Sequence, residues 1–309
     1  MSAFQNIGIE GYFNRYGIKN GLLRGAFLSI PFHMIKDYEN KKILYYHYAK
    51  KYLQKNYIKY AKTTVEDIKY GICDEDNPVW IYWRQGIKNA PILVKKCIRS
   101  IEKYSQCPVI QLDEENINKY VNMPEEILKK YKKGKISEAA LSDLIRFSLL
   151  NHFGGTWIDA TVLLTGEIPQ YIIKSDFFAY QDTFGLIENP ALISNWLLHS
   201  KPNNPLINEA LNMTYAYWKY ENYVIDYLFT YMILQIAYER NKDNCGWFPY
   251  ANSDYCHQYL NMLDENYSFR KLEHIKGLSN IHKLTYKLKD DLSSNHNNFY
   301  TKLMEKDME

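Results

Sequence analysis

Between Ser137 and Asp159 the residue pattern changes its period, and this commits the segment to a helix that feeds directly into a short buried strand. Ser137 is a helix-capping residue, because its side-chain oxygen can accept from an unpaired first-turn amide. Leu141, Leu144, Ile145 and Leu149 recur at the spacing that lines one helical face. Gly154-Gly155 stops the helix. Thr156-Trp157-Ile158 reads as a strand, Asp159 ends or interrupts it, and Val162-Leu163-Leu164 resumes the apolar run.

The same alternation extends to both sides. Val79-Trp80-Ile81-Tyr82-Trp83 is β-rich and bounded by Pro78 and Gln85-Gly86. Pro91 opens a helix from about Ile92 to Tyr104, and Pro108 to Leu112 is a second strand. Pro124 starts a helix that runs into the lysine-rich stretch Lys129 to Lys135, an exposed helix end. Phe177 to Tyr180 and Leu192 to Trp196 are further strands, and 205–220 and 224–240 read as helices. Short buried strands alternating with helices predict an α/β domain, 76–290, with a mainly parallel sheet. It is preceded by a helical, basic segment (1–75) and followed by a polar, partly disordered tail (291–309).

Composition removes several classes. With 46% hydrophobic and 24% charged residues, the chain can bury a sizeable core. A formal charge of +3 argues against a nucleic-acid binder. The longest apolar run, Tyr227 to Tyr238, falls short of the roughly 20 residues a membrane helix needs. Residues 1–10 show no basic-then-apolar leader, which leads us to expect a cytoplasmic protein. Five cysteines without a CxxC pair read as free buried thiols. Eight lysines interleave with tyrosines between Lys36 and Lys62. Such a stretch either lies on an anionic membrane surface, peripheral on the inner face of the plasma membrane, or is a solvated helix whose aromatic side packs on the next domain.

No GxGxxG, GxxxxGK[ST], GxSxG or HExxH occurs. What remains is a constellation. Asp143 and Arg146 lie three apart on one helix face, and Asp159 follows at the end of a strand, where open α/β sheets bind ligands. A carboxylate there suits a divalent cation such as Mn²⁺ or Mg²⁺, which shares oxygen ligands with phosphate. Taken singly, Asp143 and Arg146 pair with each other, and Asp159 caps a turn. Asn195 and Asp226 are further polar candidates, and Asp226 also reads as an N-cap.

The order of four strings is more specific. Leu141-Ser142-Asp143-Leu144-Ile145-Arg146, Gly154 to Thr161, Trp80 to Gly86, and Ser279-Asn280-Ile281-His282-Lys283-Leu284-Thr285 together resemble bacterial capsular polysaccharide synthesis proteins. These are relatives of glycosyltransferase family 32 and, more distantly, of the glucosyltransferase domains of large clostridial toxins. The resemblance implies a GT-A fold that transfers a hexose from a nucleotide sugar, with a uracil base, to a glycan or lipid-linked oligosaccharide, with retention and metal assistance. It implies that Asp159 is the first Asp of an Asp-x-Asp motif, binding donor and metal; Thr161 stands where the second Asp would be. It further implies that Asp143 and Arg146 hold sugar hydroxyls, that Trp83 or Tyr82 stacks on the base, that His282 completes the metal site and that Lys283 holds the diphosphate; Asn195 is then a candidate for donor or acceptor hydroxyls and Asp226 for an acceptor-side carboxylate. A catalytically weak scaffold protein on the same fold, and a hydrolase using Asp143 and Asp159, are the competing expectations.

Overall fold

The computed structural model describes residues 8–29, 38–182, 189–288 and 292–305. In chain order the elements are α1 (Gly8–Ser29), α2 (Tyr38–Tyr57), β1 (Lys69–Tyr70), β2 (Val79–Tyr82), α3 (Ile92–Tyr104), β3 (Val109–Leu112), β4 (Val121–Asn122), α4 (Glu125–Lys132), α5 (Glu138–Phe153), β5 (Gly155–Ile158), β6 (Val162–Leu164), α6 (Gln170–Ile173), β7 (Phe177–Gln181), β8 (Ile193–Ser200), α7 (Pro205–Tyr220), α8 (Phe229–Asn241), α9 (Asp254–Asn261), α10 (Phe269–Leu278), β9 (Ile281–Lys283) and α11 (Phe299–Glu305). Ser137 does cap α5, accepting from the Ala140 amide at 3.3 Å.

Five strands form the central sheet in the order β3-β2-β5-β8-β7. β2 pairs parallel with β3 and β5, while β8 is antiparallel to both β5 and β7. The sheet is therefore mixed, where the sequence suggested a mainly parallel one. Residues 182–192, between β7 and β8, are too few for the crossover of a dozen or more that a parallel return needs.

The sheet separates two apolar layers, because successive side chains point to opposite faces. Trp80, Tyr82, Trp157, Phe177 and Ala179 pack with α5, α7 and α8, through residues such as Leu144, Phe147 and Ile233. Val79, Ile81, Ile158, Phe178 and Tyr180 pack on the other side, with Val94, Ile98 and Ile101 of α3. Burial on both faces explains why these strands read as continuous apolar runs. At the helix–strand joint, Gly155 has φ +92°, and a Cβ there would lie 2.2 Å from the Pro78 carbonyl oxygen. That close approach lets the Thr156 amide reach Pro78 at 2.8 Å and sets β5 beside β2.

The basic aromatic stretch divides by face. Tyr45, Ala49, Leu53 and Tyr57 of α2 are buried in the main core, and the Tyr57 ring sits 5.2 Å from that of Tyr217 in α7. Lys51, Lys55 and Lys59, one turn apart, are exposed. Lys36 lies outside the described residues. Helix α8 starts at Phe229 rather than 224, because the Asp226 carboxylate accepts from the Leu228 amide and turns the chain there. The C-terminal region departs from a disordered tail: α11 buries Phe299 and Leu303 against Tyr259 and Leu263. None of the described helices is long and apolar enough to cross a membrane.

Candidate active site

β7 runs parallel to β5, since both are antiparallel to the strand between them. The carboxyl ends of β2, β3, β5 and β7 and the start of β8 thus share one edge of the sheet, where open α/β sheets bind ligands. Asp159 leaves β5 at this edge, and its amide bonds the Trp196 carbonyl of β8 at 2.9 Å. β9 is brought to the same edge by pairing with β6, which sets Lys283 opposite Val162, and the Leu284 amide bonds the Thr161 carbonyl at 3.0 Å.

Four charged side chains alternate in sign along this edge. Lys283 Nζ lies 2.7 Å from Asp159 Oδ2 and 2.8 Å from Thr161 Oγ1. Arg146 Nη2 lies 3.3 Å from Asp159 Oδ1 and 3.3 Å from Asp143 Oδ1. Trp157 Nε1 donates to Asp159 Oδ1 at 3.0 Å, and the Arg146 guanidinium lies 4.9 Å from the Trp157 ring centre. Exposure ranks the roles. The Asp159 and Lys283 side chains are 25% and 20% exposed, while Asp143 and Arg146 are 12% and 6%. A ligand entering from solvent meets Asp159 and Lys283 first; Asp143 and Arg146 stand behind them. Arg146 also donates to the Ser142 hydroxyl and the Asn195 carbonyl, and its Nε is buried without a partner among the described residues.

The two carboxylates are tuned in opposite directions. Burial alone would raise Asp159, but Lys283 and Arg146 outweigh it and hold the carboxyl below its usual range. Burial dominates at Asp143 and lifts it to about 6, against the lowering by Arg146, Thr230 and Asn195. Asp143 Oδ1 accepts from Asn195 Nδ2 at 3.0 Å and Oδ2 accepts from the Thr230 hydroxyl at 3.1 Å. A carboxylate has about four acceptor positions, so with Arg146 on Oδ1 one remains on Oδ2 for a ligand hydroxyl. A folded-state pKa near 6 lies above the unfolded value of about 3.9. The unfolded chain then loses this proton first as pH rises, so Asp143 makes the fold less stable between about pH 4 and pH 6. We expect thermal unfolding to show that decline, and Asp143→Asn to remove it; an unchanged pH profile in the variant would refute the assignment.

Other residues singled out from the sequence fall in different places. Asn195 is at this edge but supports Asp143, its Nδ2 also donating to Thr230 Oγ1 at 2.9 Å. Tyr82 is buried in the core with its hydroxyl donating to Glu138, so it does not offer a face to a base. Trp83 is half-buried at the end of β2, edge-on to Tyr286 at 5.3 Å, with its indole N–H unpartnered among the described residues. His282 alternates to the other side of β9 from Lys283. It is fully buried, its Nε2 is 3.0 Å from the Thr165 hydroxyl, and burial lowers its pKa to about 4. It is therefore not assembled with Asp159 as a metal ligand. Asp226 is 1% exposed and closed off by Arg24 at 2.8 Å, which leaves no room for an acceptor.

Sequence reasoning missed Thr230 and Tyr286. Thr230 reaches Asp143 from a helix 87 residues further on, and no local pattern marks it. Tyr286 follows the Ser279–Thr285 string directly, so its adjacency was the available signal. Among the described residues no three His, Cys, Asp or Glu side chains gather to hold a metal ion. All five cysteines are free thiols.

A solved structure titled "PaToxG Glycosyltransferase" is similar over 65% of this chain and 80% of its own, at 15% identity and a TM-score of 0.36, too distant to carry a residue's role across. No curated protein matches the chain. The family model described as "Capsular polysaccharide synthesis protein" matches residues 28–303. This span holds β2, α5, β5 and β9, and with them Asp143, Arg146, Asp159 and Lys283. The chain belongs to the capsular polysaccharide synthesis protein family.

Proposed function

We propose that the chain is a GT-A type glycosyltransferase that moves a hexose from a nucleotide sugar, a UDP-sugar, to a glycan or lipid-linked oligosaccharide in capsule assembly. The observation that carries this reading is the partly exposed Lys283 ammonium shared between Asp159 and Thr161 at the carboxyl edge of the sheet. Lys283 supplies a point charge for a diphosphate. Asp143 and Arg146 supply an acceptor and donors for adjacent sugar hydroxyls. Trp83 and Tyr286 offer aromatic surface to the base at the neighbouring strand end.

In the transfer step the bond from the anomeric carbon to the diphosphate oxygen breaks, and its electron pair leaves on that oxygen. The acceptor hydroxyl oxygen bonds the anomeric carbon from the same face, and its proton passes to the departing diphosphate. Lys283 holds the growing negative charge. Asp159, kept ionised, fixes Lys283 and Arg146 in place. A Mn²⁺ or Mg²⁺ ion would be held by Asp159 Oδ2 and the Thr161 hydroxyl, the two oxygens that Lys283 Nζ bonds, so Lys283 would give up both of those bonds to it. Such an ion would supply Lewis-acid stabilisation of the leaving group. The exposed row Lys51, Lys55 and Lys59 supports a peripheral contact with anionic lipid, each lysine contributing about 1 kcal/mol near such a surface.

A panel of nucleotide sugars, with and without Mn²⁺, tests the proposal by thermal shift. A donor present at about 100 times its Kd adds roughly 2.7 kcal/mol of apparent stability. We expect one donor to stabilise the wild type and to lose at least tenfold in affinity in Lys283→Ala. Absence of stabilisation by every nucleotide sugar would overturn the donor reading.

A further inference from the structure

A cavity lies at the β7 end of the sheet edge that carries Asp159. It has a volume of about 490 Å³ and is lined by Asp182, Ser253, Asp254, His257, Gln258 and Asn261. Every lining side chain is polar, so the cavity suits a hydroxyl-rich ligand rather than a lipid tail.

Its walls are tied to the sheet. The Gln181 amide bonds the Ala251 carbonyl at 2.8 Å, and the Ser253 amide bonds the Gln181 carbonyl at 3.2 Å, so residues 251–253 extend the free edge of β7. The Ser253 hydroxyl donates to Asp182 Oδ1. His257 Nδ1 lies 2.9 Å from the Ser253 carbonyl, so Nδ1 is the donor there and Nε2 is the ring nitrogen outside that bond. The His257 ring stands edge-on to Trp196 at 6.1 Å, and Trp196 stacks on Tyr180 at 4.8 Å, so the cavity and the Asp159 site share β8.

α8 links the two places. Thr230 bonds Asp143, and the next residue, Tyr231, feels both carboxylates: burial first, then Asp182, Tyr227 and Asp159, raise its phenol. Burial also raises the Asp182 carboxyl, against the hydrogen bond from Ser253 and the nearby His257.

We propose that this cavity is the acceptor subsite, binding the terminal sugar of an uncharged or amino-bearing glycan. The assignment rests on the donor reading of Asp159. It fills the place that Asp226 cannot, since Asp226 is buried against Arg24. Asp182 and Asp254 disfavour a uronic acid by like-charge repulsion. The cavity presents carboxylate, hydroxyl, imidazole and amide groups, which together give acceptors and donors for adjacent hydroxyls.

Saturation-transfer NMR on the full chain tests it, with methyl glycosides of glucose, galactose, mannose, N-acetylglucosamine and glucuronic acid as probes. At least one neutral glycoside receives saturation and the glucuronide does not. Asp182→Asn, and Asn261→Trp at the exposed end of α9, each weaken that binding at least tenfold, while UDP affinity, measured by calorimetry, stays within twofold. UDP binding without any glycoside binding, or glycoside binding that survives Asn261→Trp, overturns the subsite and leaves the donor reading standing. Glycoside binding lost in Asn261→Trp, in a chain that binds neither UDP nor any UDP-sugar, overturns the donor reading and the acceptor assignment with it, leaving only a sugar-binding cavity.

Discussion

Asp159→Asn lowers kcat/KM for sugar transfer by about 10²–10³-fold, the usual loss when one preorganised charge-stabilising contact is removed. The substitution keeps the shape of the side chain and removes its charge. Lys283 retains the Thr161 hydroxyl at 2.8 Å, and Arg146 retains Asp143 at 3.3 Å, so both cations keep a partner. What is lost is the anion that aligns them. Far-ultraviolet circular dichroism should show an intact fold, and steady-state kinetics should show the loss. Activity within tenfold of the wild type would mean that Asp159 does not organise the site.

The largest stability effect is expected far from that carboxylate in sequence. Arg24 of α1 and Asp226 form an ion pair at 2.8 Å with 2% and 1% exposure. The Arg24 guanidinium also lies 5.0 Å from the Tyr16 ring and 5.8 Å from the Tyr45 ring. Asp226→Ala leaves a buried, unpaired guanidinium and should cost about 3–5 kcal/mol. For a chain of this size that lowers Tm by roughly 5–8 °C. The pair itself need not stabilise the fold, because desolvating both charges offsets much of their attraction. Arg24→Met combined with Asp226→Asn should therefore recover most of the loss, with the asparagine still accepting from the Leu228 amide. Thermal unfolding of the two variants separates the cases. Equal losses in both would show that the ion pair is stabilising in its own right.

The charged edge of the sheet was legible in the sequence because its residues sit beside strong local signals. Asp143 and Arg146 are three apart on a helix whose cap and glycine stop are explicit, and Asp159 directly follows the strand that this helix feeds. The strands and helices between 79 and 220 were readable for the same reason: burial on both faces leaves unbroken apolar runs. Strand direction was misread, although the short stretch between Phe177–Tyr180 and Leu192–Trp196 already argued against a parallel return. Nor was the role of His282. Strand alternation puts one of two adjacent residues, His282 or Lys283, at the site, and only the pairing of β9 with β6 decides that it is Lys283. Asp226 looked like an available carboxylate because nothing near it in sequence announces Arg24, 202 residues earlier.

The most direct test of the central claim is nucleotide release from a panel of nucleotide sugars, comparing the full chain with Asp159→Asn at matched concentration. The account predicts that one donor is slowly cleaved by the wild type and not by the variant, and that the released sugar keeps its anomeric configuration. Equal release by both proteins would contradict it, as would release with inversion.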